Sequence, residues 1–241
     1  PSYGEEGIFA LNDSTMYFQL RAPYIGFAYI KGDFSDWYLK PEYQMNKSPN
    51  GQFFWLEITG LDKNTEYGFQ YAIEQDYGYL SMADPYCEKV LNPNDDPYIP
   101  ASVYPNLKTY PYGLTQEIVG VFQIEETPYV WNTPSFTKPK KEELIIYELL
   151  VRDFHQDHNY NGVIEKLDYL KSLGTNAIEL LPVMEFEGNE SWGYNPSFMM
   201  APDKYYGPKN ELKRLIDSCH SKGIAVILDI ALNHSFGQNP M

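Results

Sequence analysis

The chain of 241 residues carries 33 acidic and 18 basic side chains, and its formal net charge is −15. Nucleic acids and anionic membrane surfaces bind proteins through basic patches, so this charge argues against both as partners. No apolar run approaches the roughly 18 residues of a membrane-spanning helix, and the 2 cysteines are too few for a disulfide framework.

The first part of the chain alternates apolar and polar side chains with a period of two. Met16, Phe18 and Leu20 share one face, and the segment Tyr67–Ile73 repeats the pattern. Turn-forming clusters separate these runs. Short alternating strands at this spacing predict an antiparallel, immunoglobulin-like β-sandwich over residues 1–105. The chain opens at Pro1 without an initiator Met or a signal peptide, so an excised or processed piece is expected.

Prolines punctuate the stretch from Asn92 to Glu142. They predict an extended connector over residues 106–142 that wraps a neighbouring domain, with one strand at Ile118 to Ile124. Beyond Glu143, apolar runs separated by helical periodicity predict a parallel α/β segment. Its predicted elements are, in chain order, a strand at 144–149, a helix at 163–170, a strand at 177–181, a helix at 211–222 and a strand at 225–228.

Several short motifs follow one another in an order that is informative. They are Gly32–Trp37, Ile146–Leu149 with Arg152–Phe154, Gly174–Val183, Ser191–Pro196 with Tyr205–Gly207, and Asp229-x-x-x-Asn233-His234. The first resembles the amino-terminal sandwich of branching enzymes, debranching enzymes and multidomain amylases. The others resemble the catalytic barrel of the α-amylase family of glycoside hydrolases. The resemblance implies that residues 143–241 form the first three strands of a (β/α)8, or TIM, barrel, truncated at Met241.

The resemblance also implies a sugar site at the strand ends. Tyr194 matches a ring that stacks on a sugar, and His234 matches an imidazole that hydrogen-bonds a hydroxyl of that sugar. Asp229 matches a carboxylate that organises the floor of the site. Asn233 matches a calcium ligand of many amylases, because an amide oxygen suits that hard ion. No cofactor is required, and calcium at Asn233 is the one candidate. The implied partner is an α-glucan oligosaccharide or polysaccharide.

A retaining glycosidase needs two carboxyl groups about 5–5.5 Å apart, a nucleophile and an acid/base. In the family that the motifs resemble, both come from strands later than the three predicted here. They are expected beyond Met241, and the chain alone is predicted to be inactive. The implied activity is α-amylase-like hydrolysis of α-glucosidic bonds in starch- or glycogen-like glucans. The alternatives are a branching or debranching enzyme and a non-catalytic glucan-binding relative. A secreted or cell-surface location is favoured over a cytoplasmic one.

Three other features have structural interpretations. The segment Asp157-x-Asn159-x-Asn161-Gly162 opens like an EF-hand loop, but no helix pattern precedes it, so a strand-to-helix loop is preferred. His155 and His158 lie three residues apart without a visible third ligand, so no zinc site is predicted. Trp37 could stack on a glucan, but packing at the edge of the sandwich is preferred.

Overall fold

The computed structural model describes residues 6–241, so Pro1 and the next four residues of the predicted first domain lie outside the described part. The chain divides into two compact units. One contains the residues up to Asp96, Lys108–Thr127 and Gln238–Met241, and the other contains Pro97–Leu107 and Pro128–Gly237. The stretch predicted as a connector, 106–142, is therefore shared between the two units.

The first unit consists of two antiparallel sheets. One has the strand order β1-β2-β5-β4, and the other has the order β3-β6-β9-β8 with β7 also paired to β6. The strands are β1 Gly7–Asn12, β2 Thr15–Arg21, β3 Ala28–Gly32, β4 Asn46–Lys47, β5 Phe53–Thr59, β6 Tyr67–Gln75, β7 Gly78–Met82, β8 Val90–Leu91 and β9 Val119–Phe122. The strand expected at Ile118 to Ile124 is β9, and it lies inside the second sheet.

Aromatic side chains hold the two sheets together. Phe18 on β2 meets Phe69 on β6 and Phe122 on β9 edge-to-face, at ring-centroid distances of 5.2 and 5.3 Å. Aromatic pairs in this geometry contribute beyond the area that they bury. Trp37 is 8% exposed and donates its indole N–H to Asp33 at 3.0 Å, so it packs in the sandwich as preferred from the sequence.

The second unit is built around a parallel sheet with the order β10-β11-β14. Its elements are β10 Ile146–Leu149, α1 Val151–Phe154, α2 Tyr160–Glu165, α3 Leu167–Ser172, β11 Ala177–Leu180, β12 Met184–Phe186, β13 Pro196–Pro202, α4 Lys209–Ser221 and β14 Ala225–Leu228. The three predicted strands are confirmed within two residues. The antiparallel pair β12–β13 is an addition, and the predicted helix at 163–170 is divided between α2 and α3 at Lys166. No helix of the described residues is long and apolar enough to cross a membrane.

One face of the parallel sheet packs against the helices. Ile178 and Leu180 of β11 are fully buried in a cluster with Leu167, Leu170 and Leu215 from α3 and α4. On β10, by contrast, Ile146 is 47% exposed and Glu148 is exposed too. Strands of parallel sheets are normally covered on both faces, and the helices cover one face of this sheet.

The two cysteines are free thiols buried in different units, Cys87 in the first and Cys219 in the second. Burial raises the pKa of the Cys87 thiol well above its ordinary value and that of Cys219 to about 12. Both are therefore inert in the folded chain, as expected of buried structural thiols.

Asp217 of α4 fixes the proline-rich segment of the second unit. Its carboxylate accepts hydrogen bonds from the main-chain N–H groups of Asn132 and Thr133, both at 2.8 Å, and from the Tyr129 hydroxyl at 3.0 Å. The amide of Asn132 adds a further bond at 2.9 Å. These donors, led by the Asn132 N–H, lower the pKa of Asp217 to about 2.

We expect Asp217→Asn to lower Tm, because an amide cannot accept all four of these bonds. A carboxylate with a lowered folded-state pKa contributes stability that is present above its unfolded pKa and is lost as pH falls through the folded one. The Tm difference from the wild type should thus be full at neutral pH and shrink between pH about 4 and about 2. Melts of the intact protein at several pH values test this, with the exposed Asp168→Asn as control. A Tm difference that is constant down to pH 2 would contradict it.

Candidate functional site

The ends of the three parallel strands form one edge, and the motif residues gather there. Leu149, Leu180 and Leu228 are register partners across the sheet. Asp229 follows Leu228 directly, and its main-chain N–H donates to the carbonyl of Leu180 at 3.0 Å. Side chains that follow the carboxyl ends of parallel strands commonly form the sites of α/β proteins.

The loop between β12 and β13 carries Tyr194 to this edge. Gly193 has a φ of 88°, and a Cβ there would lie 2.3 Å from the carbonyl oxygen of Pro182, so only glycine fits. The Ser191 hydroxyl accepts from the Gly193 N–H at 3.0 Å, and the Asn195 amide donates to the Glu187 carbonyl at 2.7 Å. These contacts leave the loop little freedom beside Tyr194.

Tyr194 and Asp229 form the central contact of the site. The Tyr194 hydroxyl donates a short hydrogen bond to the Asp229 carboxylate. This bond, with partial burial and the negative charge of Asp229, raises the pKa of Tyr194 to about 12. Glu148 and Glu179, which are register partners on β10 and β11, act in the same direction. The site is therefore acidic, and its tyrosine stays neutral at physiological pH.

The ring of His234 contacts both Tyr194 and Asn233. Its Nε2 lies 2.6 Å from the Tyr194 carbonyl oxygen, and its Nδ1 lies 3.1 Å from the Asn233 amide oxygen. Both ring nitrogens thus face protein atoms. A hydrogen bond from His234 to a sugar hydroxyl stays a prediction, and it requires one of these two contacts to open. Asp229, Asn233 and Tyr194 are brought together with His234, as the motif implies.

Asn233 offers calcium a single side-chain oxygen. Calcium takes six to eight oxygen ligands. The Asn233 amide oxygen already faces His234, and within residues 6–241 the cluster of three His, Asp or Glu groups that could hold an ion lies elsewhere. Calcium at Asn233 stays a prediction, because the ion would need further oxygen ligands. The roles proposed for the other site residues do not require the ion.

Three exposed aromatic rings belong to the segments that form this edge. Trp192 is 62% exposed, Tyr194 is 42% exposed and Phe236 is 50% exposed. Phe236 is tied to the strand β13 by its N–H, which donates to the Pro196 carbonyl at 2.9 Å, and its ring meets the His234 ring edge-to-face. Rigid rings beside carboxylates are suited to a sugar, which has apolar faces and hydroxyl edges.

A buried ion pair supports the β12–β13 strands, and no sequence motif predicts it. Lys204 and Glu185 form a close salt bridge, and their side chains are 3% and 4% exposed. Asp203 accepts from the main-chain N–H groups of Phe186 at 3.1 Å and Tyr205 at 2.8 Å. Burial, and then the charge of Glu185, raise the pKa of Asp203 well above its ordinary value, while Lys204 opposes the rise.

Arg152 is the other residue that the motifs did not assign. It is paired with Asp153 at 2.7 Å and donates to the Ser191 carbonyl at 3.3 Å. It therefore links α1 to the loop that carries Tyr194. Glu148 and Glu179 could be identified from the sequence as candidate site residues, because each is a charged residue inside an otherwise apolar strand.

Comparison with known proteins confirms the family resemblance. Residues 133–239 match the model of the alpha-amylase catalytic domain. The chain is 36% identical over 145 residues to the malto-oligosyltrehalose trehalohydrolase of Saccharolobus solfataricus, which covers 60% of this chain and 24% of the relative. It is 28% identical over 238 residues to the 1,4-alpha-glucan branching enzyme GlgB of Bacillus subtilis, which covers 93% of this chain and 34% of the relative.

Solved structures share the fold. The pullulanase of Bacillus acidopullulyticus superposes with a TM-score of 0.73 at 22% identity, over 97% of this chain and 30% of that chain. A mutant pullulanase of Paenibacillus barengoltzii, solved with maltotetraose, gives a TM-score of 0.72 at 20% identity, over 96% of this chain and 38% of that chain. The chain thus spans about a quarter to two fifths of the length of these four proteins.

Replacing Lys204 with Met should lower the free energy of unfolding by about 3–5 kcal/mol, because Glu185 would be left buried without its cation. The double variant Lys204→Met/Glu185→Leu should recover part of this loss. Lys222→Met removes an exposed pair with Asp168 and should cost under about 1 kcal/mol. Denaturant unfolding of the intact variants measures all three. Equal losses in the free energy of unfolding for Lys204→Met and Lys222→Met would show that the buried pair contributes no more than the exposed one.

Proposed function

We propose that the protein is an α-glucan-active glycoside hydrolase of the α-amylase type, on the basis of the resemblance of residues 133–239 to the alpha-amylase catalytic domain. The observation that carries the proposal is the contact between Tyr194 and Asp229 at the edge of the parallel sheet. In this proposal the three parallel strands are the opening of a (β/α)8 barrel whose remaining strands lie outside residues 1–241. The substrate is a neutral glucan, which suits an acidic site.

The site residues bind and orient the sugar in this proposal. The Tyr194 ring stacks on the sugar beside the bond to be cleaved, and the hydrogen bond to Asp229 fixes the tilt of that ring. Asp229, Glu148 and Glu179 offer acceptors for sugar hydroxyls. The carbonyl of Tyr194 holds His234 close enough to reach the same sugar if one ring nitrogen is released.

The proposed reaction is a double displacement. A carboxylate attacks the anomeric carbon while a carboxylic acid protonates the leaving oxygen, and water then hydrolyses the glycosyl–enzyme intermediate. Both carboxyl groups are proposed to come from later barrel strands. Residues 1–241 alone should therefore release no reducing sugar from soluble starch, whereas the intact protein should.

Several enzymes that act on α-glucans share this type of site, and they differ in the bond that they cleave or form. An endo-hydrolase remains the favoured activity. Relatives named as branching enzyme and isoamylase support the alternative of a branching or debranching enzyme. The relatives named malto-oligosyltrehalose trehalohydrolase have the higher identities and add malto-oligosyltrehalose as a substrate to test. Assays of the intact protein on starch, a branched glucan and malto-oligosyltrehalose would separate these activities by their products.

Tyr194→Ala should reduce kcat/KM of the intact enzyme by about 1.5–3 kcal/mol, the loss of a buried aromatic contact with the sugar. Tyr194→Phe keeps the ring but not the bond to Asp229, so its loss should be smaller. Tyr169→Ala, which removes a 54% exposed ring on α3, is the matched control and should change nothing. The kinetics are measured on maltooligosaccharides. A wild-type kcat/KM for Tyr194→Ala would show that Tyr194 does not contact the sugar.

A second function, glucan binding at a site separate from the catalytic one, is favoured by a cavity in the first unit. The cavity has a volume of about 780 Å³ and is lined by Lys31, Tyr79, Tyr112 and Glu117, among others. Lys31 is 4% exposed, and its ammonium lies 5.5 Å from the centre of the Tyr79 ring. Burial lowers the pKa of Lys31, and Glu117 opposes that shift. A buried donor, a carboxylate acceptor and exposed rings together suit a sugar.

If the cavity binds glucan, Lys31→Met and Tyr112→Ala should each weaken binding of a long maltooligosaccharide about tenfold, the equivalent of about 1.4 kcal/mol. The kcat on a short substrate should not change, because the cavity lies in the other unit. Tyr38→Ala, which removes a 68% exposed ring outside the cavity, is the control. Calorimetry of the intact protein measures the affinities. Unchanged affinity in both variants would refute binding there without affecting the catalytic proposal.

A further inference from the structure

The guanidinium of Arg152 has a fixed direction. Its Nε and Nη2 donate to the two carboxylate oxygens of the adjacent Asp153, at 2.7 and 3.0 Å. A bidentate pair of this kind fixes the plane of the guanidinium. The remaining nitrogen, Nη1, donates to the carbonyl of Ser191 at 3.3 Å. The Arg152 side chain is 18% exposed, so most of it is covered by the surrounding chain.

The backbone that carries Arg152 is anchored in the core of the second unit. Arg152 lies in α1, directly after Val151, which is fully buried in the cluster under the parallel sheet. The Phe154 N–H donates to the Leu150 carbonyl at 3.0 Å, and the Arg152 carbonyl is in close contact with Nδ1 of His158. A side chain that starts from a rigid element can hold a loop in a defined place.

Ser191, whose carbonyl Arg152 binds, contacts both neighbours of Tyr194 in the chain. Its hydroxyl accepts from the Gly193 N–H at 3.0 Å and donates to the side-chain oxygen of Asn195. These two bonds fix the backbone on both sides of the Tyr194 ring. A displacement of Ser191 would therefore be passed to that ring through both neighbours.

The guanidinium also lies close to the residues that support strand β12. The ring of Tyr206 meets the ring of Phe186 on β12 edge-to-face, at a centroid distance of 5.7 Å. Burial and then the charge of Asp203 raise the pKa of Tyr206, and the positive charge of Arg152 opposes the rise. Arg152 is therefore near both the strand that leads into the loop of Tyr194 and the loop itself.

We propose that Arg152 is a positioning residue for the sugar site, because its bond to the Ser191 carbonyl holds the Tyr194 ring in the orientation that stacks on the glucan. The inference rests on the proposed function, in which Tyr194 contacts the sugar. Arg152 itself does not touch the sugar. Without Arg152 the loop must be ordered when the glucan binds, and that cost weakens binding.

A double-mutant cycle with Tyr194 tests the role, using kinetics of the intact enzyme on maltooligosaccharides. Arg152→Met removes the donors and should lower kcat/KM about tenfold, mainly through a higher KM. In the Tyr194→Ala background the same change should cost no more than about twofold, because no ring is left to position. Arg152→Lys keeps the charge but not the planar fork, so it should restore little of the loss. Arg214→Met, which removes an arginine paired with Glu211 on α4, is the control and should leave kcat and KM unchanged.

Hydrogen exchange measures the loop without any substrate. Amides of residues 187–195 should exchange faster in Arg152→Met than in the wild type, whereas those of α4 should exchange at the same rate. If the intact protein acted on no α-glucan, the proposed function would fail. The exchange rates would then still decide whether Arg152 holds the loop.

Three results would overturn the proposal. Losses in kcat/KM that multiply in the Arg152→Met/Tyr194→Ala double variant would show that Arg152 acts independently of the ring. Wild-type kinetics in Arg152→Lys would show that the charge alone matters. Unchanged exchange of residues 187–195 in Arg152→Met would show that the loop does not depend on the bond to Ser191. Arg152→Lys keeps the test decisive if Arg152→Met does not fold.

Discussion

The register of the three parallel strands is the constraint on which the rest of the candidate site depends. Leu149, Leu180 and Leu228 are hydrogen-bonded neighbours in one row, so the segments that follow them start at the same edge. A slip of one residue in β14 would turn Asp229 to the opposite face of the sheet. Val226 of β14 packs against the cluster on the helix side of the sheet, and such a slip would remove it from that contact. Packing on one face therefore determines which polar groups meet at the edge.

The carboxyl groups at the exposed edge and those buried beneath the adjoining loop have different partners. The exposed side concentrates carboxylates near Tyr194, where they have hydroxyl donors and solvent as partners. Beneath the adjoining loop, Glu185 is matched by Lys204 and Asp203 by main-chain N–H groups. The carboxylates at the edge are thus exposed, where the cost of a charge is low, whereas Glu185 is buried beside its cation. This arrangement supports the loop of Tyr194 from beneath and leaves the carboxylates at the edge accessible.

Much of the local structure was visible in the sequence, since it depends on short-range patterns. The run from Ala225 to Leu228 is a strand as predicted, and Gly223, at a φ of 71°, ends α4 as expected. The motif residues Asp229 and His234 both contact Tyr194 in the structure. Regular periodicity and turn-forming residues carry this information along a few neighbouring positions.

Contacts between distant residues were not visible. The pair Glu185 and Lys204 is separated by 19 positions, and neither periodicity nor a motif connects them. The β12–β13 strands were missed because Pro196 and Pro202 bound β13, and prolines argue against a strand in sequence. The orientation of His234 towards the Tyr194 carbonyl also had no sequence signal. Each of these features depends on how the chain returns to itself.

The burial of one thiol in each unit has a practical consequence. Cys87 lies within the first unit and Cys219 within the second, and neither can react with a thiol reagent while its surroundings are closed. The rate at which each cysteine is alkylated in the native protein therefore measures how often its own unit opens. Because the sequence of residues 1–241 has no third cysteine, peptide mass analysis could follow the two opening reactions separately in one sample, without any label being introduced.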